Sequence, residues 1–154
     1  MPSLLQLFTA FALLAVTSEC DCSHLNNQEA VCSTAWASHV LVVAVNRTAQ
    51  WDKTFYSVLH KHVYKCTQKP SRLAQLPEEV RTGVDKGTCG LYGLEEGKEY
   101  LVTGLVTYGL LKTSMCAQLK PNNGVKVKEQ CAPEWKDIEP DDISQLFDYD
   151  CQNY

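Results

Sequence analysis

Eight cysteines, all located after residue 19, constrain the fold of this 154-residue chain more than any other feature. They are Cys20, Cys22, Cys32, Cys66, Cys89, Cys116, Cys131 and Cys151. An even number of cysteines predicts a fold stapled by disulfides if the chain reaches an oxidising compartment. Structural zinc sites prefer paired Cys-x-x-Cys motifs, which this sequence lacks, and spacing alone leaves roughly a hundred disulfide pairings open.

The segment before the cysteines indicates such a compartment. Residues 4–16 form a predominantly apolar run of the length of a secretory signal, too short to cross a bilayer as a helix. We therefore predict a signal peptide at 1–19 and one secreted, extracellular domain at 20–154 without a membrane span. Two cleavage positions remain open: small residues favour a cut before Glu19, whereas a cut before Cys20 makes that cysteine the N-terminus.

Charge and a modification motif limit the kind of partner. The net charge is −4 and the basic residues are scattered, which argues against nucleic acid as a partner. Asn46-Arg47-Thr48 is an N-glycosylation sequon, typical of an exposed loop in a secreted protein. We therefore predict a glycan at Asn46.

Hydrophobic periodicity predicts a mainly β fold. Strands are expected at 39–45, 54–65, 100–108, 110–116 and 125–128, a short helix or turn at 23–32, and a helix at 139–147. The second strand carries apolar residues on both faces, as a barrel wall does, and Gly104 permits a sharp bend in the third. Residues 70–88 are predicted to be a connector, with one helical turn at 77–80. The pattern favours a small closed β-barrel of about five strands with short flanking helices.

No group of residues predicts catalysis. His60 and His62 share a strand face at metal-ligand spacing, but no third ligand follows, so two strand histidines are the simpler interpretation. Glu95-Glu96 and Asp141-Asp142 are adjacent pairs whose carboxylates would point in opposite directions in extended structure. Bridged cysteines leave no thiolate nucleophile. We therefore predict a recognition protein without a cofactor of its own, and not an enzyme.

The cysteine spacing and its surroundings resemble a known family. Nine residues separate Cys20-x-Cys22 from Cys32; Thr88-Cys89-Gly90 and the run from Tyr100 to Gly104 follow, and then Cys116 and Cys131. This arrangement is similar to the inhibitory N-terminal domain of the tissue inhibitors of metalloproteinases, a netrin-like module. It looks closest to the single-domain inhibitor-like proteins secreted by parasitic nematodes. The resemblance implies a disulfide-stapled, five-stranded closed barrel of the OB-fold type.

The resemblance also implies a disulfide pattern. It pairs Cys20 with Cys89, Cys22 with Cys116, and Cys32 with Cys131. Cys66 and Cys151 are then left to pair with each other. That fourth bridge is not part of the family's basic pattern.

The mechanism that the resemblance implies centres on Cys20. Its α-amine and backbone carbonyl oxygen would chelate the catalytic zinc of a secreted metalloendopeptidase of the matrix metalloproteinase type. The metal is that of the protease. The protease-binding wedge would comprise Cys20, Asp21, Cys22, Ser23, Gly87, Thr88 and Cys89.

Two features of this sequence depart from the inhibitory pattern. A retained Glu19 would turn the Cys20 amine into an amide that cannot chelate, and Asp21 occupies a position where the family usually has Thr or Ser. One alternative is a secreted host-directed module that uses residues 70–88 against an immune-cell or platelet receptor. Another is a stable extracellular barrel without zinc-directed activity.

Overall fold

The three-dimensional structure, a computed structural model, describes residues 20, 22, 26–48, 53–67, 76–85, 87–121, 126–127 and 131–151. The strands are β1 (Trp36–Thr48), β2 (Lys53–Cys66), β3 (Glu79–Gly83), β4 (Glu99–Thr107) and β5 (Leu110–Lys112). The helices are α1 (Asn27–Ser33) and α2 (Pro140–Phe147), with single 3-10 turns at Met115–Ala117 and Trp135–Asp137. The predicted signal peptide, residues 1–19, lies outside the described residues.

The five strands close into a barrel in the order β1-β2-β3-β5-β4, with β4 pairing back onto β1. All pairs are antiparallel except β3 with β5. Because the barrel is closed, each of these strands has a partner on both sides over at least part of its length. In a small open sheet, the outermost strands would have one side entirely unpaired. The predicted mainly β, five-stranded closed barrel with two short helices is confirmed.

Local irregularities bend the long strands around the barrel. The ladder between β1 and β2 shifts register between Ala37 and Ser38 and at two further places along β1. Such bulges increase twist and curvature. A Cβ on the buried Gly104 would overlap the carbonyl oxygen of Lys112 on β5, so the close approach of these strands requires glycine there.

Alternate side chains of the strands fill the barrel. The largest fully buried ones include Trp36, Val40, Val42, Tyr56, Val80, Tyr100, Val102 and Leu111. Burial raises the pKa of Tyr56 to about 12, because desolvation disfavours the phenolate. The Tyr56 hydroxyl donates to the carbonyl oxygen of Leu91 at 2.7 Å. The buried polar group is therefore satisfied, and it ties the segment after β3 to the core.

A second cluster lies outside the barrel, where α1 and α2 pack. Its buried members are Ala30, Val31, Leu101, Leu119 and Leu146. Helix α1 begins at a capping box, in which Asn26 accepts from the Glu29 amide and the Glu29 carboxylate accepts from the Asn26 amide. Helix α2 begins with Pro140, Asp141 and Asp142, which suit the positive end of its dipole, and the predicted terminal helix is confirmed.

The fifth strand is not the one that the sequence predicted. Residues 79–83, expected within a connector, form β3, and the helical turn expected at 77–80 is wrong. Val80 and Thr82 point inward while Glu79 and Arg81 face out, and pairing with both β2 and β5 stabilises this short strand. Lys126 and Val127, the described part of the strand expected at 125–128, are not in a strand.

Two of the expected disulfides are wrong. The structure pairs Cys32 with Cys151, with 5.3 Å between their Cα atoms, so neither Cys32–Cys131 nor Cys66–Cys151 can form. Cys32 lies in the last turn of α1, and α1 packs on α2 through Val31 and Leu146, which brings the chain after α2 alongside Cys32. Cys131 is buried instead, with its sulfur 3.4 Å from the carbonyl oxygen of Gly93.

No helix within the described ranges has the length and apolar character needed to cross a bilayer.

Candidate functional site

Two disulfides converge at one end of the barrel. Cys20 is bonded to Cys89, with 5.2 Å between Cα atoms, and Cys22 to Cys116, with 5.1 Å. The sulfurs of Cys20 and Cys116 lie 3.6 Å apart, so the two bridges are in contact. Both bridges match the pairs that the resemblance implied. Together they hold the chain at residues 20 and 22 against the segments that follow β3 and β5.

The loop after β3 is closed by hydrogen bonds within itself. The Asp85 carboxylate accepts from the backbone amide of Thr88 at 2.9 Å and from its hydroxyl at 3.0 Å, and the Gly90 amide donates to the Asp85 carbonyl oxygen at 2.8 Å. The hydrogen bonds from Thr88 hold the pKa of Asp85 below its ordinary value. The loop therefore presents Thr88 in a defined position next to Cys89.

Close backbone packing shapes the same loop. A Cβ on the buried Gly90 would overlap the carbonyl oxygen of Gly83, so this crossing requires glycine. Cys89 itself has φ of +55°, a left-handed conformation that few non-glycine residues adopt. Such a conformation persists only where the surrounding contacts hold it, and here the disulfide to Cys20 is one of them.

Three further hydrogen bonds fasten the loop to the barrel. The Leu91 amide donates to the Thr82 hydroxyl at 2.8 Å, and the Tyr56 hydroxyl donates to the Leu91 carbonyl oxygen. The Met115 amide donates to the carbonyl oxygen of Cys89 at 3.0 Å. This last bond joins the loop after β3 to the turn that carries Cys116.

A buried glutamine braces the turn that carries Cys116. The Gln118 side-chain amide donates to the Thr113 hydroxyl at 2.8 Å and to the Ser114 carbonyl oxygen at 2.7 Å. Its carbonyl oxygen accepts from the Thr103 amide on β4 at 3.3 Å. Buried polar groups satisfied in this way fix local geometry. The Cys22–Cys116 bridge is thus attached to the barrel wall.

The structure brings together every described residue of the predicted wedge. Cys20, Cys22 and Cys89 are half-buried within the two bridges, while Gly87 and Thr88 are exposed beside them. The predicted wedge residues Asp21 and Ser23 lie outside the described residues. Asn46, the predicted glycan site, is exposed, but it lies on β1 and not in a loop.

The described residues do not form a metal centre of their own. The sulfurs of Cys20, Cys89 and Cys116 lie within 4.8 Å of one another, but all three belong to disulfides and so lack the thiolate charge that metals bind. His60 is half-buried, with Nε2 2.9 Å from the Pro77 carbonyl oxygen, whereas His62 is exposed and its ring contacts that of Tyr64. Both histidines have structural contacts, as the simpler interpretation predicts.

Several residues that build the site were missed at the sequence level. Asp85 is three residues before Thr88, the spacing at which an aspartate side chain accepts from a backbone amide in a capping contact, so this signal was available. Gln118 carries no such signal, because its side chain joins Thr113 and Ser114, just before it in the chain, to Thr103 on β4, and this link depends on how the strands pack. The close crossing at Gly90 likewise depends on tertiary contact.

Comparison with known proteins agrees with this geometry. The family model described as "Tissue inhibitor of metalloproteinase" matches residues 18–134. The chain is also 31% identical to a Caenorhabditis elegans protein named "putative metalloproteinase inhibitor tag-225", over 96% of this chain and 97% of that protein. With most of its length matched by the family model, the chain belongs to the tissue inhibitor of metalloproteinase family.

Proposed function

We propose that the mature protein inhibits a zinc metalloendopeptidase by presenting Cys20 as its N-terminal residue. Members of this family are inhibitors of metalloproteinases and not enzymes, and they are generally secreted. The chain is therefore a metalloproteinase-inhibitor-like protein. The proposal adds the mode of binding and a protease of the matrix metalloproteinase type as the partner.

The contact between the two disulfides is the observation that carries the proposal. Because Cys20 and Cys22 are each bridged to the barrel, and the Cys20 and Cys116 sulfurs are 3.6 Å apart, the backbone at residue 20 has little freedom. A preorganised segment loses little conformational entropy when it docks. The exposed Thr88, held by Asp85, lies next to Cys89 and would form the second part of the same wedge.

The donor atoms of Cys20 fit the zinc of a protease. The α-amine nitrogen and the carbonyl oxygen are neutral N and O ligands of the kind that zinc accepts, and they would take the place of the attacking water. The sulfur cannot contribute, since it is bonded to Cys89. An α-amine has a reference pKa of about 8, so it must lose a proton to bind.

Whether Cys20 is the first residue of the mature protein decides whether it can chelate zinc. Intact-mass analysis of the secreted protein should give Cys20 as the first residue, and titration of a matrix metalloproteinase without a deep apolar specificity pocket should show inhibition. The matched control is the same protein with Glu19 retained, in which the Cys20 nitrogen is an amide. We expect this form to keep its disulfides and fold but to lose inhibition by about a hundredfold or more, since losing a metal ligand should cost at least as much as losing a group that orients one.

Asp21 is expected to restrict the range of proteases inhibited. In the implied binding mode its side chain enters the specificity pocket, where a buried carboxylate costs several kcal/mol unless it is paired or protonated. We expect weak inhibition of proteases with deep apolar pockets, and Asp21→Thr should strengthen it by about tenfold or more. Nanomolar inhibition of such a protease by the unaltered protein would contradict this expectation.

A different result would favour a different function. If the form that begins at Cys20 inhibits no metalloendopeptidase, and Asp21→Thr does not change this, zinc chelation is wrong. A host-directed binding module would then be the better hypothesis. Its candidate loop would need revision, because β3 occupies residues 79–83 of the 70–88 segment.

A further inference from the structure

A basic groove lies beside the wedge on the outer face of the barrel. It has a volume of about 360 Å³, and Lys53, Arg81, Leu110, Lys112 and Thr88 are among the residues that line it. Thr88 belongs both to this groove and to the proposed wedge. A protein that contacts Thr88 of the wedge is therefore next to the groove.

Strand register explains why these side chains share one surface. Phe55 on β2 lies opposite Arg81 on β3, Arg81 lies opposite Lys112 on β5, and Lys112 lies opposite Leu105 on β4. Residues directly opposite each other on paired strands point to the same side of the sheet. The residues on either side of Phe55, Arg81 and Lys112 along their strands are buried, so this row faces out. It forms a surface that is both apolar and cationic.

The charge of this surface differs in sign from that of the whole chain. The groove has three cationic side chains, Lys53, Arg81 and Lys112, and no carboxylate among its described lining residues, whereas the net charge of the chain is −4. Glu79 is 2.7 Å from Arg81, and the Arg81 guanidinium lies 5.2 Å from the centre of the Phe55 ring. These contacts hold Arg81 in place. Lys53 and Lys112 are exposed and available to a partner.

We propose that the basic groove is a second contact site for the target protease, which receives an acidic segment at the rim of the protease's active-site cleft. The inference rests on the proposed function, because continuity with the wedge through Thr88 identifies the occupant. Charge complementarity of this kind raises the rate of association and selects among partners more than it slows dissociation. Proteases with an acidic rim should be bound faster than those with a basic one.

Charge reversal tests the groove with a matched control. Lys53→Glu with Lys112→Glu reverses two exposed cations of the groove, and Lys120→Glu with Lys126→Glu makes the same change in net charge at exposed residues that do not line it. The association and dissociation rates are measured, at low and at physiological salt, with a protease that the unaltered protein inhibits. The groove variant should associate about tenfold more slowly at low salt, with a weaker salt dependence, while the control changes by less than about threefold.

A direct measurement accompanies the kinetics. Zero-length carbodiimide coupling within the complex, mapped by mass spectrometry, should join Lys53 or Lys112 to an acidic residue beside the protease cleft. Equal association rates for both variants, or coupling only at lysines elsewhere, would overturn the inference while leaving zinc chelation intact.

Unchanged protease kinetics with lost binding of a sulfated polysaccharide would assign the groove to another class of partner and also overturn it. Failure of the unaltered protein to inhibit any protease would overturn both proposals.

Discussion

Gly90 is the residue of the site that should tolerate substitution least, because its backbone crosses that of Gly83 without room for a side chain. Gly90→Ala should destabilise the fold by about 3 kcal/mol, since the loop that carries Cys89 must move. Gly97→Ala is a matched control: Gly97 has φ of +78° but open space around it, so the change should cost about 1 kcal/mol from backbone strain alone. Urea unfolding measures both. Equal destabilisation would show that the crossing is not tight.

His60 is expected to make stability depend on pH. Burial lowers its pKa below the ordinary value, although the Pro77 carbonyl oxygen and the Glu78 charge act in the opposite direction. The unfolded chain therefore binds a proton at this site more readily than the folded protein does. The stability that neutral His60 contributes is present above its unfolded pKa of about 6.5 and is lost as the pH falls through the folded value.

Urea unfolding between pH 7.5 and 5 measures this effect. The fall in unfolding free energy should be smaller in His60→Gln than in the unaltered protein, because the variant has no titrating ring at this position. His62→Gln, which changes an exposed histidine on the same strand, should retain the unaltered profile. Identical profiles for all three proteins would exclude His60 as the cause.

The disulfide that joins the two helical segments and the one that holds the wedge are expected to have different effects. The Cys32–Cys151 bridge joins α1 to the chain after α2, includes no residue of the wedge, and connects residues 119 positions apart. Replacing both cysteines by Ser should lower stability by about 2–5 kcal/mol and leave inhibition within about threefold. Replacing Cys22 and Cys116 by Ser should instead reduce inhibition strongly, because this bridge holds the wedge. Unfolding curves and protease titrations separate the two effects, and a mapped Cys32–Cys131 peptide would contradict the observed pairing.

For the whole molecule, inhibition by the form that begins at Cys20 should depend on pH. If the Cys20 amine binds a protease's zinc, each pH unit below its pKa of about 8 should weaken inhibition about tenfold. A competitive inhibitor of the same protease that lacks an amine provides the control, because it reports the titration of the protease alone. An inhibition constant that does not change between pH 8 and pH 6, after this correction, would exclude chelation by an amine.

The sequence by itself determined the parts of this protein that depend on local patterns. Alternating or β-branched runs predicted β1, β2 and β4, and Pro140 with its acidic neighbours predicted the start of α2. Cysteine spacing and its context indicated the family, and the resemblance to that family implied the two bridges of the wedge. A strand face and a helix start are local features, which can be recognised from a few neighbouring residues, whereas the two bridges join distant cysteines and came from the family's pattern.

Only the tertiary structure decided the distant pairings that neither a local pattern nor the family resemblance supplied. Five residues at 79–83 become a strand because β2 and β5 supply partners on both sides, and Cys32 bonds to Cys151 because α1 packs on α2. The basic groove likewise joins side chains from strands that are far apart in sequence. Such pairings depend on contacts between segments whose separation in the chain carries no periodic signal, so the identity of the fifth strand, the Cys32–Cys151 bridge and the outer surface of the barrel emerge only when these segments meet.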